Sequence, residues 1–134
     1  MILVDSSVWI DYFNGNISAE TDTLDRLLGV EPLAIGDLIL TEVLQGFRAD
    51  NDYQTAKSLL MTLTVFDMLG LELAIKAADN FRLLRKQGIT IRKTADVIIA
   101  TYCIEHRHSL LFADKDFLSF VAHLGLKAVT INGH

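Results

Sequence analysis

Short, mainly apolar runs alternate along this chain with longer segments of helical periodicity, and this alternation limits the possible folds more than any other feature. Ile2–Val4, Pro32–Ile35, Val65–Met68, Leu110–Ala113 and Lys127–Ile131 read as strands, too short and too apolar for a half-solvated sheet. Between them Ser6–Phe13, Ser18–Leu28, Asp37–Phe47, Asp52–Leu63, Leu71–Gln87, Thr94–His106 and Lys115–His123 read as helices. The clearest, 71–87, carries Leu73, Ala77, Phe81 and Leu84 at helical spacing and stops at Gly88. Strands alternating with helices call for an α/β domain with a mainly parallel sheet covered on both faces. No Pro/Ser/Gly-rich linker and no repeat divides the 134 residues, so a single domain over 1–134 is expected.

Composition removes several classes of function. Asp5 interrupts the first apolar run too early for a signal peptide, and no stretch reaches the roughly 20 apolar residues of a membrane span. Cys103 is the only cysteine, which excludes a disulfide framework and a thiolate zinc cluster. A soluble cytoplasmic domain with one buried thiol is expected. The net charge of −5 conceals an asymmetry: residues 1–80 hold thirteen acids against four Lys/Arg, and residues 81–134 hold eight Lys/Arg against four acids. Arg82, Arg85, Lys86, Arg92 and Lys93 form a basic segment with no acid among them. Such a segment suits either a phosphate footprint or a solvated helix end.

Ligands in open α/β sheets bind beyond the carboxyl ends of the strands. That rule singles out Asp5, after the first strand, and Asp114 and Asp116, after the strand 110–113. Asp96 lies in the first turn of its helix, two residues after Thr94, which reads as the N-cap. Each acid taken alone also fits a helix-capping role. Glu42 is flanked by Leu38, Ile39, Leu40, Val43 and Leu44, with no basic residue four positions away. It either faces water or needs a cation in the core. Carboxylates converging on one point repel one another, and a divalent metal resolves the repulsion. A donor set of oxygens suits Mg²⁺ or Mn²⁺ and supports attack of water on a phosphodiester.

Other chemistries lack their motifs. There is no P-loop, no dinucleotide-binding glycine pattern and no nucleophile elbow. Ser6 and Ser7 have no histidine positioned to activate them. His106 and His108 flank Arg107 near a helix end, and His123 and His134 have no partner in spacing. A phosphatase with an aspartyl nucleophile wants a second acid two residues after Asp5, where Ser7 stands. Trp9, Phe13 and Phe81 read as core residues.

Taken in order, "MILVDSSVWIDYF", "LILTEVLQGFR" and "IRKTADVIIATYCIEHRHSLLFADKDF" resemble the PIN-domain ribonucleases, and within them the VapC toxins of toxin–antitoxin pairs. The resemblance spans essentially the whole chain. It implies a three-layer α/β/α fold, a Mg²⁺/Mn²⁺ pocket, endonucleolytic cleavage of RNA (commonly tRNA or other structured RNA), inhibition by a VapB-like antitoxin, and a homodimer. Asp5, Glu42 and Asp96 match the first three acids of that pattern, and Asp114 or Asp116 the last. It implies that Asp5 and Asp96 ligate the metal directly, with Glu42 and Asp114 or Asp116 acting through water or a second cation. On the same resemblance Ser6, Ser7 and Thr94 are expected to support the pocket, and Arg82, Arg85, Lys86, Arg92, Lys93 and Arg107 to position the RNA. The apolar faces of 18–28 and 52–63 either serve a partner or belong to the core. A processing nuclease without a toxin role, a non-catalytic RNA-binding module and a small-molecule phosphatase are the alternatives.

Overall fold

The computed structural model describes residues 1–131 and has a five-stranded sheet at its centre; His134 lies outside the described residues. Strands β1 (Ile2–Val4), β2 (Leu33–Gly36), β3 (Thr64–Phe66), β4 (Ser109–Leu111) and β5 (Lys127–Ala128) lie in the order β3-β2-β1-β4-β5. All four neighbouring pairs are parallel. Parallel neighbours require crossovers. These are α1 (Ser6–Phe13) and α2 (Ala19–Leu27), α3 (Asp37–Leu44) and α4 (Asp50–Leu60), α5 (Leu71–Lys86) and α6 (Thr94–His106), and α7 (Phe117–Leu124). The result is the α/β/α arrangement expected from the alternation.

Leu3, Val4, Ala34, Ile35 and Leu110 have no solvent exposure, and Trp9, Leu24, Leu60, Leu84, Ile99, Phe117 and Phe120 close over them from the helices. The apolar faces of 18–28 and 52–63 thus belong to the core: Leu24, Ala56 and Leu60 are buried, and Leu27, Leu28, Leu59 and Leu63 pack against the buried cluster. Helix α6 is buried on nearly every side. Its fully buried Thr101 hydroxyl accepts a hydrogen bond from Asn80 of α5 at 3.0 Å.

Element boundaries shift by a few residues where turns intervene. The expected helix 37–47 ends at Leu44, before Gly46. The expected helix 52–63 instead spans Asp50–Leu60, and its last three residues form turns in which Thr62 and Leu63 bond back to Leu59 and Leu60. The expected strand 65–68 is Thr64–Phe66, and the strand 110–113 is Ser109–Leu111. The last strand keeps only Lys127 and Ala128 of the expected 127–131. Thr94 is not the N-cap of α6 but its first residue. Lys93 holds the cap position with extended backbone, and no side chain closes the cap.

Two close approaches fix the carboxyl edge of the sheet. A Cβ built on Gly36 would lie 2.0 Å from Sδ of Met68, so the absent side chain makes room for Met68 of the β3–α5 connection against the end of β2. The Asp37 carboxylate accepts hydrogen bonds from the backbone N–H groups of Leu38 (2.8 Å) and Met68 (3.1 Å), holding that connection in place.

Candidate functional site

From β1 the chain winds outward through β2 and β3, then crosses to the other flank of β1 for β4 and β5. The reversal falls at β1 and β4, and the region beyond their carboxyl ends is the place where open α/β sheets bind ligands. Asp5 enters it directly: its backbone N–H donates to the Leu111 carbonyl at 2.9 Å, extending the β1–β4 ladder by one residue. Its carbonyl then accepts from Val8 and Trp9 and starts α1. Asp5 therefore stands directly between the end of β1 and the start of α1, where it is the cap residue. Its side chain is 3 % exposed.

The Ser7 hydroxyl donates to Oδ2 of Asp5 at 2.9 Å, while Oδ1 is buried without a partner. Burial raises the Asp5 pKa above the usual carboxylate value and the charge of Asp114 raises it further. The Ser7 hydroxyl and the nearby N–H groups of Ser6 and Ser7 pull it down, without closing a cap hydrogen bond.

Helix α6 brings Asp96 in from its first turn. The residue is 5 % exposed, and its Oδ2 is buried with no hydrogen-bond partner. Its pKa is pushed up to about 7, first by burial, then by the charges of Asp5 and Asp114; Lys93 opposes the shift and Glu42 adds a little to it. Helix α3 supplies Glu42, half-buried, with Oε1 buried and unpartnered. Burial and the Asp5 charge raise its pKa, against the Ser6 hydroxyl and Lys93. Ser7 thus holds Asp5 by a hydrogen bond, while the Ser6 side chain lies close enough to Glu42 to lower its pKa.

Asp114 and Asp116 stand in the β4–α7 connection. Asp114 Oδ1 accepts the backbone N–H of Asp116 at 2.9 Å, and Asp116 is the cap residue of α7. One carboxylate oxygen from each of Asp96, Asp114 and Asp116 lies within 4.8 Å of the others. Arg92 closes this outer pair, with Nε 3.1 Å from Asp116 and a terminal nitrogen 3.7 Å from Asp114. All five acids expected from the sequence therefore converge on one end of the sheet.

The basic residues divide: Arg92 and Lys93 join the acids and the others do not. Lys93, at the start of α6, lies close enough to Glu42 and Asp96 to lower both pKa values. Arg82, Arg85 and Lys86 are exposed on the last turns of α5, with the Arg85 guanidinium 5.5 Å from the Phe81 ring centroid. Arg107 terminates α6 in a left-handed conformation (φ 58°), at the opposite end of that helix from Asp96. The thirteen residues of α6 separate the two by roughly 15–20 Å. What the sequence reading missed is the engagement of Arg92. Its signal was present as a lone arginine four residues before Asp96, but the neighbouring cations made it look like one more exposed charge.

Three inner carboxylates from three separate elements each keep a buried oxygen without a partner. Left alone they destabilise one another, and protonation or a cation must compensate. The donors are carboxylate oxygens, a set that fits a hard divalent ion. Cys103 is not a competing ligand; burial, then the Asp5 charge, pushes its thiol up to about 12.

Comparison with known proteins agrees with this geometry. The model of the PIN domain matches residues 2–122. A VapC ribonuclease of Mycobacterium bovis and Ribonuclease VapC11 of Mycobacterium tuberculosis are each 34 % identical over 122 residues, covering 87 % of this chain and 89 % of theirs. Among solved structures, VapBC2 from Rickettsia felis, bound to a DNA fragment from its promoter, superposes with a TM-score of 0.75 at 17 % identity, covering 96 % of this chain and 98 % of that one. A toxin–antitoxin complex from Klebsiella pneumoniae gives 0.70 at 22 % identity, covering 97 % of each chain. PIN-domain nucleases act with divalent metal, and the acidic cluster here has the donors for it. The chain belongs to the PIN-domain family and, within it, to the VapC ribonucleases.

Proposed function

We propose that this chain, as a single nuclease domain, is a Mg²⁺-dependent endoribonuclease, with Mn²⁺ as a substitute, that acts as the toxin of a toxin–antitoxin pair. The observation that carries the proposal is the set of three buried, unpartnered carboxylate oxygens, on Asp5, Glu42 and Asp96, at the switch point of the sheet. The VapC relatives supply the substrate class, RNA. The structurally similar toxin–antitoxin complexes supply the partner class, a VapB-like antitoxin.

Asp5 and Asp96 would hold the ion, which when bound supplies Lewis-acid charge to a phosphodiester and to the attacking water. Ser7 fixes the rotamer of Asp5 by holding Oδ2, which leaves Oδ1 for the pocket. Glu42, less buried than the two aspartates and raised in pKa, orients the water and takes its proton. Asp114 adds negative charge beside both metal-holding aspartates, and Asp116, at the cap position of α7, pairs with Arg92. Lys93, next to Glu42 and Asp96, receives the scissile phosphate. Arg82, Arg85 and Lys86 meet flanking phosphates, which gives affinity rather than sequence choice. Thr94 shapes the floor at the start of α6. Arg107 is too far away to join them.

The substrate we propose is tRNA or another structured RNA, which places the activity in the cytoplasm. No helix among the described residues is long and apolar enough to cross a membrane. Leu69, Leu71 and Ile75, large and exposed around the start of α5, offer apolar surface for the antitoxin or a second copy of the chain. The test is cleavage of a tRNA panel by the purified chain with Mg²⁺, beside an Asp5→Asn control. Cuts at defined bonds that vanish with EDTA support the proposal. Equal cleavage by the Asp5→Asn protein overturns it.

A further inference from the structure

We propose that Arg92 is the built-in second cation of the acidic site, holding Asp114 and Asp116 with its own charge so that the pocket takes a single divalent ion. This rests on the metal-dependent reading above and adds a stoichiometry to it. The five carboxylates fall into two groups. Asp5, Glu42 and Asp96 each keep a buried oxygen that no group of the protein satisfies. Asp114 and Asp116 are already engaged: Arg92 reaches one oxygen of each, at 3.7 and 3.1 Å, and the Asp116 N–H holds Asp114.

The guanidinium approaches from solvent, with its side chain 71 % exposed, while the side chains of its two partners are 20 and 22 % exposed. It therefore sits over the mouth of the outer pair and does not enter the inner pocket. Its planar fork suits two carboxylates at once, which a lysine ammonium matches only as a point charge.

Without that charge, the outer pair would be a cation cradle. Oxygens of Asp96, Asp114 and Asp116 lie within 4.8 Å of one another, so Asp96 could serve an inner and an outer ion together. Two divalent ions together with Arg92 and Lys93 would carry six positive charges against five carboxylates; one ion leaves four against five. Arg92 thus acts through the acids it holds. It is a positioning residue, and its removal changes the number of metals before it changes the fold.

The experiment is Mn²⁺ titration of the full chain by calorimetry, with Mn²⁺ electron paramagnetic resonance as a second count, on the native protein, Arg92→Ala and Arg92→Lys. One ion per native chain, two per Arg92→Ala chain and one per Arg92→Lys chain are expected, with coupled Mn²⁺ pairs in the resonance spectrum of Arg92→Ala alone. Two ions on the native chain, or one on Arg92→Ala at unchanged affinity, overturn the role of Arg92. No Mn²⁺ binding by any of the three overturns the metal-site reading itself, a separate result. Circular dichroism of each variant confirms that the loop substitution leaves the fold intact, and Arg92→Gln replaces Arg92→Ala should the latter not fold.

Discussion

The Asp5 and Asp96 carboxylates, 91 residues apart in sequence, are near enough for the charge of one to raise the pKa of the other, and each ends in a buried oxygen with no partner. This pairing is costly in the absence of a cation and useful in its presence. Replacing Asp96 by Asn removes a buried charge that Lys93 only partly offsets. Asp96→Asn should melt at or above the native temperature without metal, lose the stabilisation that Mg²⁺ gives the native protein, and cleave RNA at least 100-fold more slowly, on the order of 3 kcal/mol in barrier. Thermal melts with and without Mg²⁺, beside cleavage rates, check all three.

The pH dependence of the metal-free chain follows from the same residue. Asp96 titrates at about 7 when folded and near its ordinary value of 3.8 when unfolded. Between these values the folded state holds a proton that the unfolded state has released, so stability falls as pH rises from about 4 towards 7 and then levels off. Asp5 and Glu42, also raised, act in the same direction. Denaturant melts in EDTA should show the chain more stable at pH 5 than at pH 7.5, by roughly a few kcal/mol. Saturating Mg²⁺ should flatten or reverse that slope, because the ion favours the ionised acids.

Ser7 and Ser6 should separate in experiment. Ser7→Ala removes the hydroxyl that holds Asp5 Oδ2, at a cost of about 1 kcal/mol in metal affinity, or roughly fivefold. Ser6→Ala acts on Glu42 instead, and should lower the cleavage rate while leaving Mn²⁺ affinity close to native. Calorimetric titration of both variants, set against their cleavage rates, distinguishes the two roles.

Gly36 should tolerate no side chain. Gly36→Ala drives its methyl into Met68 and should cost about 1–3 kcal/mol, with the β3–α5 connection displaced. Met68→Ala should cost less in the Gly36→Ala background than in the native one, because the two atoms compete for the same space. Denaturant unfolding of the four proteins gives the coupling.

The acids were legible because strand ends, helix starts and carboxylates coincide in the sequence at Asp5, Asp96 and Asp114, and a parallel sheet sends those positions to one edge. Glu42 was legible only as a charge in an apolar helix. Its direction depends on how α3 packs, which periodicity over eight residues does not settle. The bounds of α6 were legible, but its cap was assigned to Thr94 because threonine is a good capping residue and Lys93 a poor one. The extended backbone at Lys93, which no local rule demands, decides the matter. Arg92 and Arg107 looked alike as cations expected to position RNA. A connection spanning one helix sends the first to the acids and the second to the far edge of the sheet.

The middle position of β1 also determines when the site comes into being during synthesis. Ile2 pairs with Leu33 on one side and with Ser109 on the other. The first acid made waits for almost the last strand before its surroundings exist, and non-local pairing of this kind forms late and slowly. With ribosomes adding about 5–20 residues per second, Asp5 spends several seconds on a nascent chain that has no Asp96 and no Asp114 to meet. The site is therefore assembled only once β4 and the acids that follow it have been made and can join β1.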